Sequence, residues 1–301
     1  MFNVGTIVRL RRLELGLTQS KVCGKKISVT TLSRLEKNGQ LPNKHNFEYI
    51  IDRLGIFSQK YSYLLSYEDK EVYDLRYTLE SAYNKGDYKA TAEILTKLKT
   101  LPNALEHGVF LTIAETLLLL QDTSVPNETK LTKAQNTVDT FCKDFSPNKI
   151  AKTLLMKKEL MMLVALATAH YKVDDKQTAL NILNELIAYI NKNIEDKGNI
   201  APIYARIMLC LSAYYIDECD YTKALYFCED GLKMCIANDC GMIYFDKLLF
   251  NKARILFSQN QEDQANACLK QAYYSALSLG ERADCFIAKI NSYAKERSLV
   301  I

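Results

Sequence analysis

Apolar residues in Gly16–Gly39 (GLTQSKVCGKKISVTTLSRLEKNG) fall into two short helical runs with a basic turn between them. Gly16 closes a preceding amphipathic helix, and Thr18 caps the next one. A short helix is predicted over Gln19–Cys23, broken by Gly24. Lys25 and Lys26 keep the turn in water. Ser28 then caps a third helix, Val29–Lys37, whose Leu32 and Leu35 point inward at i, i+3 spacing. Asn38-Gly39 ends it, a pair that tolerates left-handed backbone. The arrangement is a helix-turn-helix. The outward positions Val29, Thr30, Ser33 and Arg34 are short or hydrogen-bonding groups, suited to a helix whose N-terminal end enters a DNA major groove.

Beyond this region only helical periodicity appears. Phe57–Tyr73 is rich in tyrosine and lacks the Gly/Ser/Pro content of a loose tether, so it predicts a linker helix packed on both sides. From about Tyr73 to the end the pattern repeats. Three helix pairs, Leu160–Leu183, Ala205–Cys228 and Asp246–Leu269, align on the small residues Ala179, Ala224 and Ala265, which lie 45 and 41 residues apart. Ala167, Ser212 and Ala253 form a second small-residue register in their first helices. Two weaker pairs precede them, one around the turn Lys85-Gly86-Asp87-Tyr88 and one from Phe110 to Ala134. Glu281–Ile301 reads as a closing helix. Small residues at matching positions let helices cross closely, and each pair buries its apolar face only against its neighbours. The predicted fold is all-α: an N-terminal helix-turn-helix domain, a linker helix and a helical solenoid.

Charge sharpens this division. The net charge is +4, but residues 1–60 alone carry +7 and the remainder −3. A polyanionic partner therefore belongs to the first domain. Nine cysteines stand at irregular spacing with no CxxC, and the three histidines are scattered. This pattern gives no zinc set and reads as reduced, buried thiols, with a redox pair near Cys228, Cys235 and Cys240 as the competing reading. His170, in an apolar helix, reads as a packed histidine. No phosphate-binding, metalloprotease or nucleophile-elbow motif occurs, and no acid pair stands ready for catalysis, so no enzyme and no cofactor is expected. No apolar run nears the ~20 residues of a membrane span, and no signal peptide is visible, which predicts a cytoplasmic protein.

The segments Leu10–Gln19, Ser28–Asn43 and Phe47–Ile56 resemble the Cro/lambda-repressor-type (XRE) helix-turn-helix family in order and spacing. The resemblance implies that Gln19, Lys37 and Asn38 hold DNA phosphates and that Ser28, Val29, Thr30 and Arg34 face bases. It also implies a partly buried ion pair between Arg12 and Glu36. The chain departs from the family at Val22-Cys23, where Leu-Ala is usual. The later helix pairs resemble tetratricopeptide repeats (TPR): Gly86-Asp87-Tyr88 and Cys219–Ala224 match the inter-helix turn, although the spacing exceeds the usual repeat of about 34 residues. Together the parts resemble the RRNPP family of quorum-sensing transcription factors (Rgg- and PlcR-like). What this implies is a double-stranded palindromic operator, a homodimer, a short signalling peptide on the repeats and a right-handed solenoid. The domains would be 1–57 for DNA, 58–73 for the linker and 74–301 for peptide sensing and dimerisation.

In TPR pairs the first helix lines the groove. Aligning the last pair turns Lys247, Phe250, Asn251 and Arg254 toward it, and the pair before adds Arg206. An asparagine would satisfy peptide amides, and the cations would take a terminal carboxylate. Thr168, Val164, Thr112, Glu115, Arg76 and Glu80 hold equivalent places earlier. A second reading stays open, in which the repeats bind a protein partner instead of a peptide.

Overall fold

The computed structural model describes residues 4–55, 67–84, 86–101, 108–142, 145–148, 150, 155–194, 197–238 and 244–299. Among them there are helices and no strands. The first domain holds α1 (Val4–Glu14), α2 (Gln19–Cys23), α3 (Val29–Asn38) and α4 (Lys44–Arg53). Polar side chains start three of these. Thr18 accepts from the Lys21 amide at 3.2 Å, Ser28 from Thr31 at 3.1 Å and Asn43 from Asn46 at 2.9 Å. Gly24 (φ +57°) and Gly39 (φ +65°) stop α2 and α3 in backbone that a side chain would strain. The core is Val8, Val22, Leu32, Leu35, Phe47 and Ile50, all nearly dry. The third helix thus runs one residue beyond the sequence expectation.

Five helix pairs follow. They are α5 (Tyr67–Asn84) with α6 (Tyr88–Lys99), α7 (Gly108–Leu119) with α8 (Asn127–Phe141), and α9 (Lys157–Lys172) with α10 (Lys176–Asn193). Next come α11 (Ala201–Asp217) with α12 (Tyr221–Ala237) and α13 (Phe245–Ser258) with α14 (Glu262–Leu277). A 3-10 turn, Gly280–Ala283, leads into α15 (Asp284–Glu296), shorter than the closing helix expected over 281–301; residues 300 and 301 lie outside the described residues. Most of the expected linker, 58–66, also lies outside them, and its last residues belong to α5.

One turn recurs and sets the stack. Gly86, Asp174, Cys219 and Asn260 all have φ between +57° and +79°. The residue after each donates its amide back to a carbonyl five positions earlier, at 2.9–3.0 Å (Asp87 to Ala82, Asp175 to His170, Asp220 to Tyr215, Gln261 to Leu256). Three of those residues are aspartates, and each also caps the next helix. A left-handed stop and a carboxylate start in adjacent positions reverse the chain with no spare loop. Ala179, Ala224 and Ala265 sit at the crossings, at most 1% exposed, as do Ala167, Ser212 and Ala253 in the first helices.

Two glycines show how close the crossings are. A Cβ on Gly231 would lie 2.9 Å from both Met208 Cβ and Leu248 Cδ1, where α11, α12 and α13 meet. A Cβ on Gly5 would lie 1.9 Å from the Leu35 carbonyl oxygen, a backbone atom that cannot yield without moving α3. Gly5→Ala should therefore lower the stability of the first domain by about 3 kcal/mol. Gly108→Ala, with nothing within 4 Å of the new atom, serves as the control. Urea unfolding of the full chain followed by hydrogen exchange at α1 and α3 checks this. Equal behaviour of the two variants would mean that α1 does not sit on α3 as described.

Candidate functional site

The outer face of α3 is held by what lies beneath it. Arg12 reaches from α1 and grips Glu36 with two bonds, Nε to Oε1 at 2.6 Å and Nη2 to Oε2 at 2.8 Å. Its third nitrogen, Nη1, donates to the Leu17 carbonyl at 2.8 Å. Both residues are buried, Arg12 at 8% and Glu36 at 6% exposure. Burial alone would raise the Glu36 carboxyl. The hydrogen bonds from Arg12 and Gln19 outweigh it and hold that carboxyl below its ordinary value. The Gln19 bond, Nε2 to Glu36 Oε2 at 2.8 Å, fixes the start of α2 to the same carboxylate. One carboxylate therefore sets α1, α2 and α3 relative to each other.

On that base, Ser28, Val29, Thr30, Arg34, Lys37 and Asn38 are exposed and Ser33 is half-exposed. Val29 is 44% exposed, an apolar residue left in water at the N-terminal end of a helix. Ser28 has its hydroxyl on Thr31, so it caps the helix as well as standing on its outer face. Gln19 is half-buried, with its amide nitrogen on Glu36.

The first domain touches the repeats through α1 and α4. Arg11, in α1, donates from Nε to the Leu54 carbonyl at 3.2 Å and from Nη2 to the Asn193 carbonyl at the end of α10 at 2.7 Å. A Cβ on Gly55 (φ +69°) would lie 2.7 Å from that same Asn193 oxygen. Met156, at the start of α9, packs into the first domain's core. Arg76, in α5, pairs with Glu48 at 3.8 Å and stacks over Phe110. Desolvation here holds the Asp52 carboxyl up, at about 6. The first domain is thus tied to three repeat helices, α5, α9 and α10, a connection that no local sequence signal carries.

The repeat residues singled out from the sequence do not form one pocket. Phe250 is 2% exposed and lies edge-on to Phe286 and Tyr293, so α15 covers it. Asn251 is 5% exposed and donates to Ser212 Oγ at 2.8 Å, which places it between α11 and α13. Lys247 is exposed over the Tyr244 and Phe286 rings. Arg254 faces Asp217 at 3.9 Å, and Asp217 also takes the Tyr171 hydroxyl. Arg206 points elsewhere, toward the hydroxyls of Tyr83 and Tyr244.

Arg206 also lines a cavity of about 70 Å³ between α7, α8, α9 and α11, with Gln121, Asn127, Lys130, Thr168 and Lys172. Only Arg206 and Thr168 were legible as groove residues; Lys130 and Lys172 reach the cavity through the crossing of α8 with α9, which sequence spacing does not reveal. His170 holds Asp175 at 2.9 Å within a repeat turn. Cys228 is dry, bonded to the Leu248 carbonyl, and its thiol is pushed up to about 12 by burial, so it is not a reactive thiolate. Cys240 lies outside the described residues. Among the described residues no cluster could hold a metal ion, and no helix is long and apolar enough to cross a membrane.

The fold matches that of PlcR from Bacillus thuringiensis, solved in complex with the peptide PapR7 and DNA. The TM-score is 0.59, with 13% identity over 98% of this chain and 98% of that one. ComR from S. thermophilus, in complex with DNA and its signalling peptide ComS, matches at TM-score 0.55, 16% identity and 98% and 99% coverage. The apo form of the competence regulator ComR from Streptococcus vestibularis matches at TM-score 0.52 and 16% identity, over 99% of each chain. No protein-family model matches the chain, and no curated protein does. The likeness is one of fold, end to end.

Glu36→Ala should leave the Arg12 guanidinium buried without its partner, at a cost on the order of 3 kcal/mol. Protection of the α3 amides in the full chain should fall about 100-fold. Because the folded-state pKa of Glu36 is depressed, its contribution is fully present above the unfolded value and is lost as pH falls through the folded one. Wild-type α3 protection should therefore drop in acid, and the variant should show less of that drop. Unchanged protection in Glu36→Ala would show that the pair contributes as little as an exposed one.

Proposed function

We propose that this chain is a cytoplasmic, DNA-binding transcriptional regulator, a homodimer whose helical repeats bind a short signalling peptide and thereby control DNA binding. The observation that carries the DNA half is the exposed face of α3, seated on the Arg12–Glu36–Gln19 cluster, in the one region of the chain with a net charge of +7. In this reading Ser28, Val29, Thr30, Ser33 and Arg34 meet base edges, while Gln19, Lys37 and Asn38 position the backbone. The domains are 1–57 for DNA, 58–73 as linker and 74–301 for sensing and dimerisation.

The peptide half is supported by the fold shared with PlcR and ComR, both solved with a peptide and DNA bound. It is supported further by the cations on the first helices of the stack, Arg206, Lys247 and Arg254. A peptide that prefers one arrangement of the repeats shifts the population toward it. The Arg11–Asn193 and Glu48–Arg76 contacts then carry that shift to α1 and α4. The competing reading, a protein partner on the repeats, shares this fold and differs only in the ligand.

Genomic fragments retained by the full chain provide the test. Thr30→Ala with Arg34→Ala should relax base preference at the positions α3 reads, at about 1–3 kcal/mol per lost base contact. Lys37→Ala should weaken all fragments alike and reduce the salt slope by about one. If the Thr30/Arg34 double variant keeps full selectivity with binding still measurable, α3 is not the reading helix.

A further inference from the structure

The cavity between α7, α8, α9 and α11 brings three cations together without an acid. Lys130 is 5% exposed, Arg206 is half-buried and Lys172 stands at the rim. None of the three has an ion pair among the described residues, and no carboxylate lines the cavity. The acid that feels Lys130, Asp122, is exposed and gives its Oδ1 to the Ser124 amide and hydroxyl at 2.9 and 2.7 Å. The electrostatic neighbours of Arg206 are Tyr244, Tyr83 and Cys210, none of them an anion at neutral pH. Lys172 is held below its ordinary value, first by burial and then by Lys130 and Arg206. Three like charges in one small, partly dry space are costly unless something negative joins them.

The uncharged polar groups are largely engaged already. Gln121 donates to the Tyr83 hydroxyl at 3.2 Å, Asn127 to the Lys172 carbonyl at 3.4 Å and Thr168 to the Val164 carbonyl at 2.9 Å. Arg206 gives part of its guanidinium to the Tyr83 and Tyr244 hydroxyls. The remaining capacity belongs to its other N–H groups and to the two ammonium groups, which suit an acceptor carrying full negative charge. At about 70 Å³ the cavity admits a few waters or one small group and no more. Its floor is small and apolar, from Leu120, Ala165 and Ala169.

We propose that this cavity is a carboxylate site that anchors the C-terminus of the peptide ligand, with Lys130, Lys172 and Arg206 around the carboxylate. The inference rests on the peptide reading above and adds to it an end, an orientation and two residues, Lys130 and Lys172, that the groove alignment omits. An aspartate or glutamate side chain offers the same group, and the test separates the two sources.

The probes are three pools of randomised synthetic heptapeptides: free-acid without Asp or Glu, C-terminally amidated without Asp or Glu, and amidated with one Asp or Glu. Retention on the full-length protein at constant ionic strength is read by mass spectrometry. The free-acid pool should be retained about tenfold more than either amidated pool, as expected for loss of one charge-assisted contact. Lys172→Met, at the exposed rim, should abolish that preference while keeping the helical circular dichroism of the parent. Arg206→Lys, which keeps the charge, should retain part of it. Preferential retention of the amidated acidic pool would overturn the terminal assignment. Equal retention of all three would overturn the carboxylate site and leave the peptide reading standing. No retention of any pool by the parent protein would overturn both.

Discussion

The exposed face of α3 depends on one buried carboxylate. Glu36 accepts from Arg12 twice and from Gln19 once, so the helix that would read bases, the helix before it and the helix beneath it share a single anchor. A hydrophobic core alone would let α3 rotate or slide by a fraction of a turn, because Leu32 and Leu35 would bury as well in neighbouring settings. Directional, charge-assisted bonds with no water to replace them remove that freedom. Gly5 belongs to the same constraint: only a residue without a Cβ lets α1 approach the Leu35 carbonyl closely enough for Arg12 to reach.

The repeats solve a different problem. Under the proposed function they hold a ligand surface and still respond to it. Their turns are rigid, with a left-handed stop followed by a capping position, and their crossings are set by alanines that leave no slack. Charge is left unbalanced in one place, the cavity of Lys130, Lys172 and Arg206, and balanced in another, where Arg254 faces Asp217. The first domain leans on α9 and α10 through Met156 and the Asn193 carbonyl, so a change at the α9 wall of the cavity and a change at the first domain share one helix pair.

Much of this was legible in the chain because it is local. The caps Thr18 and Ser28, the stop at Gly39, the small residues Ala179, Ala224 and Ala265 and the turn at Cys219-Asp220 act within a few residues of where they stand. The Arg12–Glu36 pair was legible through resemblance, since nothing in the spacing of two charges 24 residues apart marks them as partners. What escaped depends on which side of a helix its neighbours cover. Phe250 and Asn251 share a helix with Arg254, yet α15 and Ser212 claim them. Lys130 looks like any surface lysine of α8, and only the crossing with α9 buries it. Arg11, one residue before the anchor, gave no sign of reaching a carbonyl 182 positions away.

The central claim is that a ligand of the repeats changes what the first domain does on DNA. The most direct measurement is retention of fragments of the source genome by the full-length chain, with and without the short-peptide fraction of the producing culture's medium. The account predicts that a small set of fragments, each carrying a two-fold symmetric site, is gained or lost when the peptide fraction is added. If the same fragments are retained to the same extent in both conditions, the repeats do not take their signal from a secreted peptide.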